Sequence, residues 1–127
     1  MSPGAQVAAA LANAPAVTTL AGSRIFPMRM PPTTTFPAVV YTGIERLSMA
    51  GFSTGTAGTL KQSRVQVDSY AKTYDDAHEL DDAIADYLTA LEGASASITV
   101  EFAGSRDLYE NDTQLHRVST DFIVWST

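Results

Sequence analysis

Residues 60–71, LKQSRVQVDSYA, and residues 73–91, TYDDAHELDDAIADYLTAL, decide the fold. The first stretch alternates. Val65, Val67, Ser69 and Ala71 fall on one side, and Arg64, Gln66, Asp68 and Tyr70 on the other. A period of two is that of a half-buried strand. The second stretch has a helical period. Ala77, Leu80, Ala83, Ile84, Leu88 and Leu91 form an apolar stripe with Tyr87 beside it, while Asp75, Glu79, Asp82 and Asp86 take the opposite face. Thr73 stands three residues before Asp76, at the spacing of an N-cap, with Asp75 and Asp76 in the favourable first turn. Such a helix needs a sheet or another helix to cover its stripe.

Outward from this pair the chain reads as alternating units. Towards the N-terminus, GAQVAAALANA (4–14) is an alanine-rich helix that Asn13 and Pro15 end. AVTTLAG (16–22) adds a short helical turn stopped by Gly22, and Arg24–Phe26 suits a short edge strand. MRMPPTTTFP (28–37) is broken by Pro31, Pro32 and Pro37 and is expected as an irregular arm. AVVYTGIERL (38–47) is the first long strand, partly apolar on both faces. SMAGFSTGTAGT (48–59) is a long uncharged connection with three glycines. Beyond the helix, ITVEFA (98–103) is a strand, GSRDLYENDT (104–113) a polar loop, and QLHRVSTDFIVW (114–125) the last strand. It places His116, Val118, Thr120, Phe122 and Val124 on one face. Strands in consecutive pairs between helices predict an α+β fold, with a small, mostly antiparallel or mixed sheet flanked by two main helices.

At 127 residues and 45% apolar, residues 1–127 are expected to form one domain with a modest core, to which association between copies would add burial. The chain has no cysteine, which removes disulfides and thiolate chemistry. No basic region followed by an apolar run opens it, and no stretch reaches membrane-span length, so neither a signal peptide nor a membrane partner is expected. Fourteen acids face eight bases, for a formal charge of −6. Seven of the acids lie between Asp75 and Glu92 without a lysine or arginine among them. That balance argues against a surface that grips nucleic acid.

Few residues carry chemistry. His78 could meet Asp75, Glu79 or Asp82, and His116 could meet Asp68 or Asp121. The first group has no recognised metal-ligand spacing, and no serine sits in a nucleophile elbow to receive His116 as its base. GFSTGTAG (51–58) lacks the lysine and the setting of a phosphate loop. Tyr41, Tyr70, Tyr74, Tyr87, Tyr109, Phe122 and Trp125 are scattered, and basic residues do not interleave with them as on a single-strand binding platform. The expectation is a non-enzymatic assembly module with no catalytic, metal or cofactor site.

Four stretches together narrow it: APAVTTLAGSRIFPMRMP (14–31), FPAVVYTGIE (36–45), RVQVDSYAKTYDDAHELDDAIADYL (64–88) and LYENDTQLHRVSTDFIVW (108–125). In order and spacing the chain resembles the tail terminator, or tail completion, proteins of long-tailed bacteriophages, related prophages and gene-transfer particles. The resemblance implies a small α+β virion protein without catalytic residues. It further implies a ring, usually of six copies, at the head-proximal end of the tail tube. That ring stops tube polymerisation and offers the surface for head–tail joining. The implied partners are the chain itself, the tail tube protein, and a connector or stopper protein. DNA would pass through without specific binding, and assembly would occur in the host cytoplasm. A head–tail connector or head-completion protein is the alternative, and a small histidine-dependent hydrolase a third.

Two surfaces are expected to make contacts. The arm and the 48–58 loop exceed what local connection needs, which nominates Pro32, Thr34, Phe36, Met49, Phe52 and Thr54 as interface residues. Asp75, Glu79, Asp82 and Asp86 form a negative stripe that could serve solubility alone, line a DNA passage or meet a basic partner.

Overall fold

The computed structural model describes residues 2–49, 60–91 and 98–126. In chain order it holds α1 (Pro3–Ala12), α2 (Pro15–Ala21), β1 (Ile25–Pro27), β2 (Ala38–Met49), β3 (Leu60–Ala71), α3 (Tyr74–Thr89), β4 (Ile98–Glu110) and β5 (Leu115–Ser126). The strands form one sheet in the order β1-β2-β3-β5-β4. β1 runs parallel to β2, and the other pairs are antiparallel. The expected α+β class with a mixed sheet is therefore observed, with α1 and α3 as the two main helices and the short α2 as the expected added turn.

The periods of β3 and α3 fix where the core lies. Val65 and Val67 of β3 meet Val39 of β2, Phe122 and Val124 of β5, and Leu80, Ile84 and Leu88 of α3. Val7 and Leu11 of α1 and Val17 of α2 join the same cluster, so all three helices contribute to one core on one side of the sheet. Each such side chain, fully buried, stabilises by roughly 1.5–3 kcal/mol. Thr73 caps α3 as the spacing predicts, its hydroxyl accepting the Asp76 N–H at 3.1 Å. Ser2 does the same for α1, accepting from Ala5 N–H at 3.1 Å ahead of Pro3. Gly4 lets α1 approach β2 closely: a Cβ there would lie 3.2 Å from the Tyr41 ring. Gly22 ends α2 at φ 59°, a conformation that costs a side-chain-bearing residue.

Among the described residues, no helix covers the opposite side of the sheet. At one end the arm folds back onto it. Met30 and Phe36 pack against Val40, Tyr70 and Leu115. Arg24 anchors the arm's end, its Nε donating to the Pro37 carbonyl at 2.9 Å. The Phe36–Pro37 peptide bond is cis.

The loop expected over residues 104–113 is not observed. GSRDLYENDT is not a loop: β4 continues through it to Glu110, and only residues 111–114 turn. A register shift between Phe102 and Gly104 carries the strand past Ala103, and pairing resumes from Gly104↔Asp121 to Glu110↔Leu115. Ser105, Asp107 and Tyr109 then share the face of Thr120, Val118 and His116, and Arg106, Leu108 and Glu110 take the other. β4 is an edge strand with most of its side chains in water, so polar residues on both faces are compatible with pairing.

Candidate functional site

The four carboxylates of the predicted stripe are all exposed on α3: Asp75, Glu79, Asp82 and Asp86. Ala77, Leu80, Ile84 and Leu88 are buried beneath them, so the stripe points away from the sheet. Among the described residues, none of these four forms an ion pair within 4 Å. Like charges one turn apart each cost a few tenths of a kcal/mol, roughly, and the helix carries them without relief.

Asp81, next in line, behaves differently. It is buried, 5% exposed, on the sheet side of α3. Thr120 donates to its Oδ1 at 2.6 Å, and the Thr120 hydroxyl oxygen lies 3.1 Å from Ser105 Oγ. One hydroxyl carries one proton, so the chain runs from Ser105 to Thr120 to Asp81. Burial pushes the Asp81 carboxyl above its ordinary range, and the Thr120 hydrogen bond draws it partly back. The sequence reading missed this residue. Its position was a sign: it falls between Ala77 and Ile84 on the apolar stripe.

The two histidines meet partners other than those the sequence nominated. His78 lies 2.8 Å from Asp107 of β4, through Nε2 and Oδ1, in the geometry of an ion pair rather than an aligned hydrogen bond. Tyr74 donates its hydroxyl to Asp107 Oδ2, also at 2.8 Å. That hydrogen bond pushes the Tyr74 phenol up. The Tyr74 ring packs on His78 at 4.4 Å between centroids, and His116 stands edge-on to Tyr74 at 6.0 Å and beside Tyr109 at 4.9 Å. His116 thus lies on the helix side of the sheet, away from Asp68 and Asp121, which face the other way. Among the described residues no three His, Asp or Glu groups are placed to hold a metal ion.

On the helix-free side, charges of both signs interlock. Arg117 lies 3.4 Å from Asp68 and 3.9 Å from Glu110, and its guanidinium sits 5.7 Å from the centre of the Tyr70 ring. Burial raises the Tyr70 phenol, and Arg117 opposes that rise. Asp121 is shared by Arg64 at 3.5 Å and Arg106 at 4.0 Å. Gln66 donates to both Asp68 oxygens at 3.1 Å. This surface holds itself together rather than presenting a basic groove.

The nominated interface residues divide. Pro32 is exposed. Thr34 is half-buried and donates to the Pro31 carbonyl at 2.7 Å. Phe36 is half-buried against its own sheet. Met49 ends β2, while Phe52 and Thr54, with the rest of the 50–59 connection, lie outside the described residues.

No nucleophile, metal cage or phosphate cradle is assembled among the described residues, and what the fold presents is surface: an acidic helix, an open sheet edge and an arm. Residues 5–127 match the family described as "Tail completion protein gp17", and the chain belongs to that family of structural tail proteins. No curated protein matches. Among solved structures the chain is similar to one in the "Virion of native gene transfer agent (GTA) particle", with TM-score 0.67 and 14% identity over 98% of this chain and 94% of that one. At that identity the likeness is one of fold. No helix among the described residues is long and apolar enough to cross a membrane.

Proposed function

We propose that the whole chain acts as one tail-terminator unit. Copies assemble into a ring, a hexamer by the family resemblance, on the head-proximal end of the tail tube. The ring stops tube polymerisation and provides the surface to which a connector or stopper protein joins. The protein performs no catalysis in this role. The observation that carries it is the family match over residues 5–127, nearly the full length. The fold shared with a chain of a gene transfer agent virion agrees with it.

Within that ring the exposed face of α3 is assigned to the DNA passage. Asp75, Glu79, Asp82 and Asp86 present negative charge with no described base in contact, which lets phosphates pass without adhering. The arm and the 50–59 connection are assigned to contacts with neighbouring copies or the tube.

The test is assembly in particles that lack the chain and receive it back. Without it, tubes should overgrow and fail to join heads, and adding it back should restore tube length and joining. Normal tube length with unjoined heads in its absence would favour a head-completion or connector protein instead. For the passage, substituting Glu79, Asp82 and Asp86 together by lysine should leave particles assembled but slow DNA release, with relief at high salt. Unchanged release from correctly assembled particles rules the passage role out, and loss of assembly places this face at a protein interface.

A further inference from the structure

The sheet ends in two open edges. At one, β1 pairs with β2 only from Ile25↔Val39 to Pro27↔Tyr41. Met28 donates its N–H to the Tyr41 carbonyl at 2.9 Å and then turns the chain away at φ 66°. β2 runs on to Met49 with no neighbour on that side among the described strands. Its backbone is bare at Gly43, where a Cβ would meet nothing within 4 Å. A cleft of about 360 Å³ opens beside it, with Pro27, Met28, Tyr41, Gly43, Ile44 and Arg64 in its lining. At the other end of the sheet, β4 pairs with β5 alone among the described strands.

Two independent features single out these edges. The first is apolar surface. Among the described residues the exposed large apolar side chains are Met28 and Ile44 at the β2 edge, Phe102, Leu108 and Tyr109 on β4, and Tyr74, which is hydrogen-bonded to Asp107 of β4. All of them stand at one edge or the other, and apolar surface gathered in this way marks a protein contact. The second is charge. Residues 1–44, which supply β1, the arm and the first half of β2, hold Arg24 and Arg29 and no acid. Residues 74–112, which supply α3 and β4, hold eleven of the fourteen acids and a single arginine, Arg106, with no lysine. Arg29 is exposed at the first edge, and Glu101 and Asp107 at the second. Two β4 edges brought together set acid against acid, and two β1–β2 edges set base against base, whereas unlike edges attract.

We propose that copies of the chain dock head to tail, the β4 edge of one against the free half of the β2 edge of the next, so that the apolar side chains of β4 cover Met28 and Ile44. This rests on the ring reading above and adds which surfaces meet. A contact between unlike edges leaves each copy with one edge of each kind to offer. It therefore repeats from copy to copy and closes into a ring where the rotation allows. Pairing of the two strands satisfies backbone groups that both edges otherwise leave to water, and the cleft beside Gly43 receives side chains of the incoming strand.

The chain has no cysteine, so introduced thiols report contacts without background. Met28→Cys and Leu108→Cys are placed together in the full chain, which is assembled into particles and treated with a short bismaleimide. The two positions lie on opposite edges, four strand spacings or roughly 19 Å apart across the sheet, too far to be bridged within one copy. On a denaturing gel the double variant should give a ladder of linked copies up to the closed ring, while each single variant stays monomeric. Ile44→Cys with Tyr109→Cys, also at exposed positions, should behave in the same way and decides the matter if the first pair does not fold. Dimers from a single variant would mean that like edges meet and would overturn the proposal. So would double variants that stay monomeric in particles where quantitative mass spectrometry counts several copies, and in that case the ring reading stands. Particles that carry one copy overturn both.

Discussion

Asp81 is the residue whose chemistry departs furthest from its neighbours. Five exposed carboxylates of α3 face water, and this one faces Thr120 inside the molecule. Its folded carboxyl holds its proton above the ordinary range, so between that range and its raised value the folded chain binds more protons than the unfolded one. Stability therefore falls as pH rises through that window, and above it the full cost is present. Asp81→Asn keeps an acceptor for Thr120 and removes the charge. It should raise the thermal midpoint by a few degrees at pH 7, with the gain fading as pH drops into the ordinary carboxylate range. Thermal unfolding at pH 3.5 and pH 7 checks both halves of the statement. Thr120→Val, by contrast, leaves Asp81 without its donor and should destabilise by about 1–3 kcal/mol. The same site marks a limit of pattern reading. The apolar period of α3 was legible, but it gave no reason for Asp81 to sit on it. The reason lies in Ser105 and Thr120, which reach it only once β4 and β5 are paired.

Elements with a single clean period were legible, and elements with two jobs were not. β3 and β5 alternate apolar and polar because one face of each meets the helices, and α3 has a dry side and a wet one. Thr73 as cap followed from its spacing to Asp76. Its removal by Thr73→Ala should cost about 1 kcal/mol, seen as a lower urea midpoint with unchanged slope. Phe122, wholly buried at the centre of β5, should cost about 3–5 kcal/mol as alanine, a large part of the 5–15 typical of a small domain. β4 escaped recognition because a strand exposed along most of its length has no apolar face to declare it. Its alternation is Ser105, Asp107, Tyr109 against Arg106, Leu108, Glu110, which resembles a polar loop until β5 is placed beside it. The arm was legible as irregular. Its docking on Val40, Tyr70 and Leu115 was not, because those partners are distant in sequence.

For the whole molecule, the order of segments spoke more clearly than any residue. In the sequence reading no single motif carries the resemblance; the succession of short helix, arm, hairpin, acidic helix and closing strands does, and the family match runs over residues 5–127. Surfaces were legible where they depend on one element, as with the exposed stripe of α3. They were not where the fold combines strands, as with the interlocked Arg64, Asp68, Arg106, Arg117 and Asp121 on the helix-free side. Two predictions belong to this scale. Replacing Ala50–Gly58 by a tight turn should leave a monomer of unaltered thermal midpoint that caps tubes poorly; normal tube length with this variant would remove the connection from the contact surface. Replacing Glu79, Asp82 and Asp86 by lysine would bring the formal charge from −6 to zero, so Glu79→Gln, Asp82→Asn and Asp86→Asn together should be run beside it to separate charge reversal from lost solubility.

The edge of β4 that has no neighbour among the described strands has a consequence for the free chain. Thirteen residues of open strand offer a template on which further chains could stack into fibres. Glu101, Arg106, Asp107 and Glu110 interrupt that template with charge at short intervals, so an approaching copy must strip water from ionised groups before it can pair. Charge placed this way opposes amyloid-like growth from the strand edge. Arg106→Val with Asp107→Val should bring forward the onset of thioflavin-positive aggregation on gentle heating.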